Sequence, residues 1–257
     1  MDGLIECAMR RLRMEMGYSL RYMNIHECNP SRYRRCLSGS DESCQQKVKD
    51  AALMSFCAPL KDLGVFEWER TDENPVHAWT VMRDPVERVW SMYRFQTRRC
   101  YKCKTLKEVY EEYDKRDPAD LETDMCAAQL MNHQTRNMLT QVEGTDEEKV
   151  EQAIDDMQNF FTFIGLTEDL PSTATIAGKV FPWLAETVNG TRTSCPFPHK
   201  NSSPTNNRCA PGNKHWDLPP HPDEETAELI RQHNQLDMQV YEAAVKHFEL
   251  QKKALGL

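Results

Sequence analysis

The sequence predicts an α/β fold in which a largely parallel sheet is flanked by helices. Short apolar segments typical of buried strands alternate along the chain with segments that repeat apolar residues at the helical period. One such strand, Val76–Met82, is followed at once by a helix start, because Asp84 suits an N-cap and Pro85 suits the first helical position. Strands separated by helices favour parallel pairing. The length of 257 residues fits one domain, residues 1–257.

Upstream of that junction the pattern predicts a helix, a strand, a loop and a second helix. Leu4–Met16 has helical spacing and ends at a glycine, and Tyr18–Ile25 then has the composition of a strand. Residues 28–44 are rich in turn-forming residues and are predicted to be a loop. Gln45–Phe56 is predicted to be a short helix that leads into the next buried segment.

Downstream of the junction the chain is predicted to be mainly helical. The helix that starts at Asp84 presents one apolar stripe, which predicts that it packs on another element. One further strand is expected over Phe160–Leu166, and Thr167–Asp169 then opens a helix. Residues 189–222 are rich in Pro, Ser and Asn and are predicted to be a long loop. The remaining predicted helices are Leu106–Tyr113, Leu121–Leu139, Glu147–Phe160 and a long C-terminal helix over residues 223–255.

Charge and hydropathy disfavour two classes of partner. The formal net charge is −8, so the field of the whole chain repels nucleic acid and anionic membrane surfaces. No window approaches the run of roughly 18 apolar residues that a membrane span requires. We therefore expect no nucleic-acid partner and no membrane span in this chain, which leaves room for an N-terminal anchor in a longer form of the protein.

Cysteines and glycosylation sequons favour an oxidising compartment. The ten cysteines are many for a cytosolic enzyme, and their even number is compatible with disulfide bonds. Zinc is the rival interpretation of the Cys100–Cys103 pair, but no second such pair follows at finger-like spacing, so no metal is predicted. Asn189 and Asn201 begin Asn-x-Ser/Thr sequons in the predicted loop. Together these features favour the lumen of the secretory pathway, disulfide bonds and glycosylation.

Arg83 and Ser91 form the candidate site. Ligands of open α/β sheets bind at the carboxyl ends of the strands, and Arg83 stands at such an end. A guanidinium offers a planar fork of donors that suits a phosphate, and a serine hydroxyl two turns later can donate to the same oxygens. Ser91 lies on the side of the helix opposite the apolar stripe. An Arg-Asp-Pro sequence alone would be explained equally well as a helix cap.

The segment RDPVERVWSMY, residues 83–93, closely resembles the 3′-phosphate-binding motif of sulfotransferases that use 3′-phosphoadenylyl sulfate (PAPS). The similarity is greatest to Golgi carbohydrate sulfotransferases related to the heparan sulfate 2-O- and 6-O-sulfotransferases. Three later segments resemble the same family in order and spacing, namely NHQTRNML, FTFIGLTEDL and NQLDMQVYEAAVKHFELQ. The resemblance implies the P-loop-like sulfotransferase fold, PAPS as co-substrate, a glycan acceptor and residence in the Golgi lumen.

In that family the first arginine and the serine of the motif hold the 3′-phosphate of the nucleotide, and these positions match Arg83 and Ser91. Within NHQTRNML, Gln134 and Arg136 are expected either to face the cofactor or acceptor, with Arg136 as a substrate-binding candidate, or to be packing and surface residues. Arg88 is predicted to be a solvated helix residue. Residues 83–107 carry eight basic side chains against two acidic ones, which fits either an anionic acceptor or an ordinary solvated face.

One sequence element of the family does not occur in this chain. Family members hold the 5′-phosphosulfate with an N-terminal Lys-x-Gly-x-Thr type loop, and no Lys-Thr-Gly or Gly-Lys-Ser/Thr triplet occurs in this sequence. The expectation is an N-terminally truncated domain whose sequence begins just after that loop. The catalytic base is left open, with His26 and His77 as candidates because each is on or beside a predicted strand. The alternative function is a non-catalytic relative that binds a glycan or nucleotide, or an inactive fragment.

Overall fold

A computed structural model describes residues 21–24, 51–55, 78–97, 99–139, 143–181 and 218–257. This part of the chain is a mixed α/β structure that is mostly helical and contains parallel strand pairs. The expectation of an α/β chain with parallel pairing is therefore confirmed at this level. The helix predicted over Leu4–Met16 lies outside the described residues.

The first strand pair corrects one prediction. β1 (Arg21–Asn24) lies within the strand predicted over Tyr18–Ile25 and pairs in parallel with β2 (Ala51–Ser55). The helix predicted over Gln45–Phe56 is therefore wrong for residues 51–55. A short apolar run has no periodicity that separates a strand from a buried helix, and here the pairing with β1 decides the outcome.

The second strand pair positions the candidate site. β3 (Ala78–Met82) pairs in parallel with β4 (Phe161–Leu166), and Met82 lies opposite Leu166 at their carboxyl ends. α1 (Pro85–Gln96) begins directly after β3, and the Asp84 side chain accepts a hydrogen bond from the Glu87 amide at 3.0 Å. The predicted strand, N-cap and first-position proline are thus confirmed.

The helices between α1 and β4 differ from the prediction in one region. α2 (Leu106–Tyr113) and the long helix predicted over Glu147–Phe160 are confirmed. The helix predicted over Leu121–Leu139 is instead three short helices. Asp124 ends one and caps the next through the amides of Cys126 and Ala127, and Asn132 has the left-handed φ of +45°. The elements concerned are α3 (Pro118–Thr123), α4 (Met125–Ala128), α5 (His133–Met138) and α6 (Asp146–Phe160).

The C-terminal part contains two helices where one was predicted over residues 223–255. α7 (Leu170–Val180) follows β4 with Asp169 as its N-cap, as expected, and then α8 (Glu224–His233) and α9 (Gln235–Ala254) end the chain. Asn234 interrupts the helix with φ −131° and ψ 36°, and its fully buried side chain donates to the Ile230 carbonyl at 2.9 Å. Residues 189–217 of the predicted loop lie outside the described residues.

Two apolar clusters meet at the junction between β3 and α1. The first contains the inner faces of β3, β4, α6, α7 and α9, with Phe163, Met157 and Phe248 almost fully buried. The second contains the stripe of α1 with α2 and α8, and includes Val89 and Tyr110. The predicted burial of the α1 stripe is confirmed. Arg83 and Asp84 therefore lie where the chain passes from one apolar cluster to the other.

Cys100 and Cys126 form a disulfide bond with an S–S distance of 2.09 Å, and Cys103 is also disulfide-bonded. This disulfide joins the segment that follows α1 to α4. In the described ranges no group of three or more His, Cys, Asp or Glu side chains is arranged to hold a metal ion. None of the helices in those ranges combines the length and apolar character that a bilayer span needs.

Candidate functional site

The peptide groups of Arg83 are held by one side chain. The Arg83 amide donates to Oε1 of Gln134 at 3.0 Å, and Nε2 of Gln134 donates to the Arg83 carbonyl at 2.8 Å. Gln134 is buried on the first turn of α5. Gln134 is therefore a packing residue of the junction that contacts the backbone of Arg83, and the expectation that it faces a cofactor or acceptor stays a prediction.

The backbone groups next to Arg83 in the junction also form hydrogen bonds. The Thr167 amide donates to the Met82 carbonyl at 2.9 Å, and the Asp84 amide donates to Oε1 of Glu168 at 2.9 Å. The other oxygen of Glu168 accepts a hydrogen bond from the Tyr241 hydroxyl at 3.0 Å. Burial, followed by the charge of Glu168, raises the pKa of Tyr241, so the hydroxyl remains a donor at neutral pH. These contacts fix the junction from both sides.

Within the described ranges, the side chain of Arg83 makes one weak contact with a charged partner. Its Nη2 lies 3.4 Å from Oε2 of Glu87, and the two side chains are 36% and 29% exposed. The second oxygen of Glu87 lies 2.8 Å from Nδ1 of the exposed His221. Ion pairs at such exposure contribute about 0–1 kcal/mol. The backbone of Arg83 is thus fixed by hydrogen bonds, and its guanidinium is exposed to solvent.

Ser91 lies one helical turn beyond Glu87 and two turns beyond Asp84, on the same face of α1. Its side chain is partly exposed, and no hydrogen bond to its hydroxyl occurs among the described residues. Helical spacing thus places Glu87 and Ser91 on one face of α1, and Arg83 contacts Glu87 at 3.4 Å at the start of that face. That Arg83 and Ser91 bind one phosphate stays a prediction.

Arg88 is not the solvated residue that was predicted. Its side chain is 12% exposed, Nη1 donates to the Gln129 carbonyl at 2.8 Å, and Nη2 lies 3.6 Å from Oδ2 of Asp237, which is fully buried. Burial lowers the pKa of Arg88, and the Asp237 carboxylate opposes that effect. Helix α1 is covered on the side of Arg88 as well as on the side of Val86. Little of the Arg88 side chain therefore reaches bulk solvent.

Asp237 and Asn132 cap each other's helices. Asp237 accepts hydrogen bonds from the amides of Gln134 and Thr135 at 3.1 and 2.7 Å, which are orphan donors at the start of α5. In return, Oδ1 of Asn132 accepts from the amides of Leu236 and Asp237 at 3.1 and 3.3 Å, at the start of α9. A carboxylate at a helix N-terminus is also favoured by the helix dipole. The capping fixes Gln134 relative to α9.

Arg136 belongs to a different region. It lines a cavity of about 290 Å³ together with Asp146, Lys149 and apolar side chains, and its Nη2 donates to the Met131 carbonyl. Arg83 and Ser91 are not among the residues that line this cavity. The cavity that Arg136 lines is thus separate from the predicted phosphate-binding residues, and the role of Arg136 in binding a substrate stays a prediction.

The predicted catalytic histidines, His26 and His77, lie outside the described residues. His133 is described, and burial followed by the charges of Arg88 and Arg136 lowers its pKa to about 3. Its Nδ1 lies 3.2 Å from the Ala128 carbonyl and Nε2 lies 3.0 Å from Nδ2 of Asn137. Because a neutral imidazole satisfies both contacts, His133 is a half-buried structural residue at neutral pH.

Sequence reasoning missed Asp237 and Glu168. On α9, Asp237 lies at helical spacing from Val240, Tyr241 and Ala244 and so belongs to the same apolar stripe. An aspartate inside an apolar stripe indicates a buried, paired carboxylate. Glu168 carried no comparable signal, because it was expected only to open a helix. A scan against models of protein families and a comparison with curated proteins found no match for this chain.

Proposed function

We propose that this protein is a sulfotransferase that uses 3′-phosphoadenylyl sulfate and acts on a hydroxyl of a carbohydrate acceptor. The supporting observation is the half-exposed face of α1, where Arg83 follows a parallel strand with its backbone fixed and its guanidinium available. Arg83 and Ser91 bind the 3′-phosphate of the nucleotide. The position at the carboxyl end of a parallel strand is the usual place for a ligand in an α/β fold.

A phosphate can displace the carboxylate that now contacts Arg83. Charge-assisted hydrogen bonds from a guanidinium to phosphate oxygens are shorter and about twice as strong as neutral ones. The contact from Arg83 to Glu87 is at 3.4 Å and is solvent-accessible, so a phosphate displaces it at small cost. Glu87 retains His221 as a partner when Arg83 turns to the ligand.

In the proposed reaction the acceptor oxygen attacks the sulfur of the phosphosulfate. The bond from sulfur to the bridging oxygen breaks, the acceptor proton passes to a base, and the products are a sulfate ester and adenosine 3′,5′-bisphosphate. Arg83 and Ser91 contribute by anchoring the end of the nucleotide that does not react. Such remote anchoring holds the reacting atoms in position. Residence in the Golgi lumen and a glycan acceptor are parts of the same proposal, and the Cys100–Cys126 disulfide is compatible with them.

Calorimetric titration tests the nucleotide site. We expect the 257-residue chain to bind adenosine 3′,5′-bisphosphate more tightly than adenosine 5′-monophosphate. We expect Arg83→Ala to remove about 1.5–3 kcal/mol of that difference. Arg231→Ala is the matched control, because Arg231 is 38% exposed and is also ion-paired to glutamates. If Arg83→Ala and its parent discriminate equally between the nucleotides, the site assignment is wrong.

A transfer assay tests the reaction. The chain, extended at its N-terminus by the Lys-x-Gly-x-Thr type loop that its sequence lacks, is incubated with radiolabelled 3′-phosphoadenylyl sulfate and a panel of glycans with free hydroxyls, and label on a glycan is the expected result. Discrimination between the two nucleotides without any transfer would instead identify the alternative, a non-catalytic relative that binds the nucleotide. Absence of both binding and transfer contradicts the proposal.

A further inference from the structure

We propose that Gln134 is a positioning residue for the 3′-phosphate contact of Arg83, and that Asp237 holds Gln134 in place. This inference rests on the proposed function, since it concerns how the phosphate-binding arginine is oriented. Gln134 touches neither the guanidinium of Arg83 nor Ser91 in the contacts described. It would act only through the backbone of Arg83, which it holds at the amide and at the carbonyl.

The backbone contact matters because, in the part of the chain that the structure describes, the side chain of Arg83 has no firm partner of its own. Its guanidinium is 36% exposed and lies 3.4 Å from a glutamate oxygen. The direction in which a side chain leaves the backbone is set by the local peptide geometry, and here Gln134 fixes both peptide groups of the residue. Without this hold, the arginine would reach the phosphate from a wider range of positions and would lose affinity.

Gln134 is in turn fixed by a closed circuit of contacts. Its amide donates to Oδ2 of Asp237 at 3.1 Å, and the same oxygen lies 3.6 Å from Nη2 of Arg88. Arg88 is on α1, five residues after Arg83, and its amide donates to the Asp84 carbonyl at 2.8 Å. The circuit therefore runs from Arg83 through α5 and α9 and returns to α1. Its buried members leave little freedom for the glutamine to move.

A second glutamine provides a matched control. Gln251 on α9 holds Ile164 of β4 in the same way, because the Ile164 amide donates to Oε1 at 3.2 Å and Nε2 donates to the Ile164 carbonyl at 3.0 Å. Gln134 and Gln251 thus make the same pair of bonds to a backbone. They differ in that Ile164 is a core residue and Arg83 carries the proposed ligand contact.

The experiment is a double-mutant cycle read by calorimetry with adenosine 3′,5′-bisphosphate and adenosine 5′-monophosphate. The variants are Gln134→Met, Arg83→Ala, the double variant and Gln251→Met. We expect Gln134→Met to weaken bisphosphate binding by about tenfold, to leave monophosphate binding unchanged, and to have no further effect once Arg83 is alanine. Gln251→Met should leave the discrimination between the nucleotides unchanged while lowering stability to a similar extent.

The outcomes separate this inference from the proposed function. If Arg83→Ala abolishes discrimination but Gln134→Met does not reduce it, or reduces it equally in the Arg83→Ala background, the positioning role is overturned and the proposed site stands. The positioning role is also overturned if Gln251→Met causes an equal loss of discrimination. If the parent chain does not discriminate, or Arg83→Ala keeps the discrimination, the proposed site fails and the inference falls with it. If Gln134→Met does not fold, Gln134→Glu enters the cycle, since it keeps the acceptor for the Arg83 amide and lacks the donor.

Discussion

Arg83 and Arg88 lie five residues apart at the start of α1 and have opposite surroundings. Arg83 is 36% exposed and faces a carboxylate that is 29% exposed, whereas Arg88 is 12% exposed and faces a carboxylate with no exposure. Each pairs with one acidic residue. Burial, and not residue type, therefore separates an arginine that is fixed inside the fold from one whose side chain reaches solvent.

The largest expected difference concerns the two acidic partners. Asp237→Ala leaves Arg88 buried without its countercharge and removes the cap of α5, so we expect the free energy of unfolding to fall by about 3–5 kcal/mol. Glu87→Ala should change it by about 1 kcal/mol or less, because that pair is solvent-accessible. Urea denaturation of the two variants measures both values. Equal losses would show that the contrast between the two arginines is wrong.

Two histidines extend the comparison to pH. Burial lowers the pKa of His133 to about 3, below the ordinary value near 6.5. The unfolded chain therefore binds a proton that the folded chain excludes, so the contribution of His133 is complete above about pH 6.5 and is lost as pH falls toward 3. The slope approaches about 1.4 kcal/mol per pH unit between these limits.

The pH prediction is measured as a difference between proteins. Urea denaturation at pH 7, 6 and 5 is compared for the parent and His133→Gln, and we expect the acid-induced loss to be smaller in the variant. His221→Gln is the control, because His221 is 72% exposed. A pH profile of His133→Gln that is parallel to that of the parent would contradict a neutral His133 in the folded protein.

Replacement of Ser91 tests whether its hydroxyl contacts the bound phosphate on the exposed face of α1. We expect Ser91→Ala to weaken binding of adenosine 3′,5′-bisphosphate by about 1.5 kcal/mol, through loss of a hydrogen bond to a charged oxygen, and to leave adenosine 5′-monophosphate binding unchanged. Ser172→Ala on α7 is the control. The measurement is the calorimetric affinity for each nucleotide. If both serine variants bind the bisphosphate like the parent, Ser91 does not contact the phosphate.

The smallest expected effect is a gain. Glu87→Gln removes the carboxylate that competes with a phosphate for Arg83, so the affinity for the bisphosphate should rise by about 0.2–1 kcal/mol. The gain should disappear when Arg83 is alanine. Calorimetry of the single and double variants measures it, and weaker binding by Glu87→Gln would show that Glu87 supports the site.

The junction between β3 and α1 could be predicted from the sequence, whereas the contacts that hold this junction in place could not. Asp84 and Pro85 mark a helix start through local backbone chemistry, which is why β3, α1 and the position of Arg83 could be predicted. Asp237 on α9 contacts both Arg88 and Gln134, and it lies more than 100 residues beyond each of them in the sequence. Periodicity carries no information on such pairing, so Arg88 was misplaced in solvent and the role of Gln134 was left open.

A crystal structure of the chain with adenosine 3′,5′-bisphosphate tests the central claim most directly. We predict the 3′-phosphate within hydrogen-bonding distance of the Arg83 guanidinium and the Ser91 hydroxyl. We also predict that Gln134 still holds the Arg83 backbone and that Glu87 contacts His221 alone. A 3′-phosphate bound elsewhere, for example beside Arg136 and Lys149 in the 290 Å³ cavity, would contradict the assignment of the site to Arg83 and Ser91.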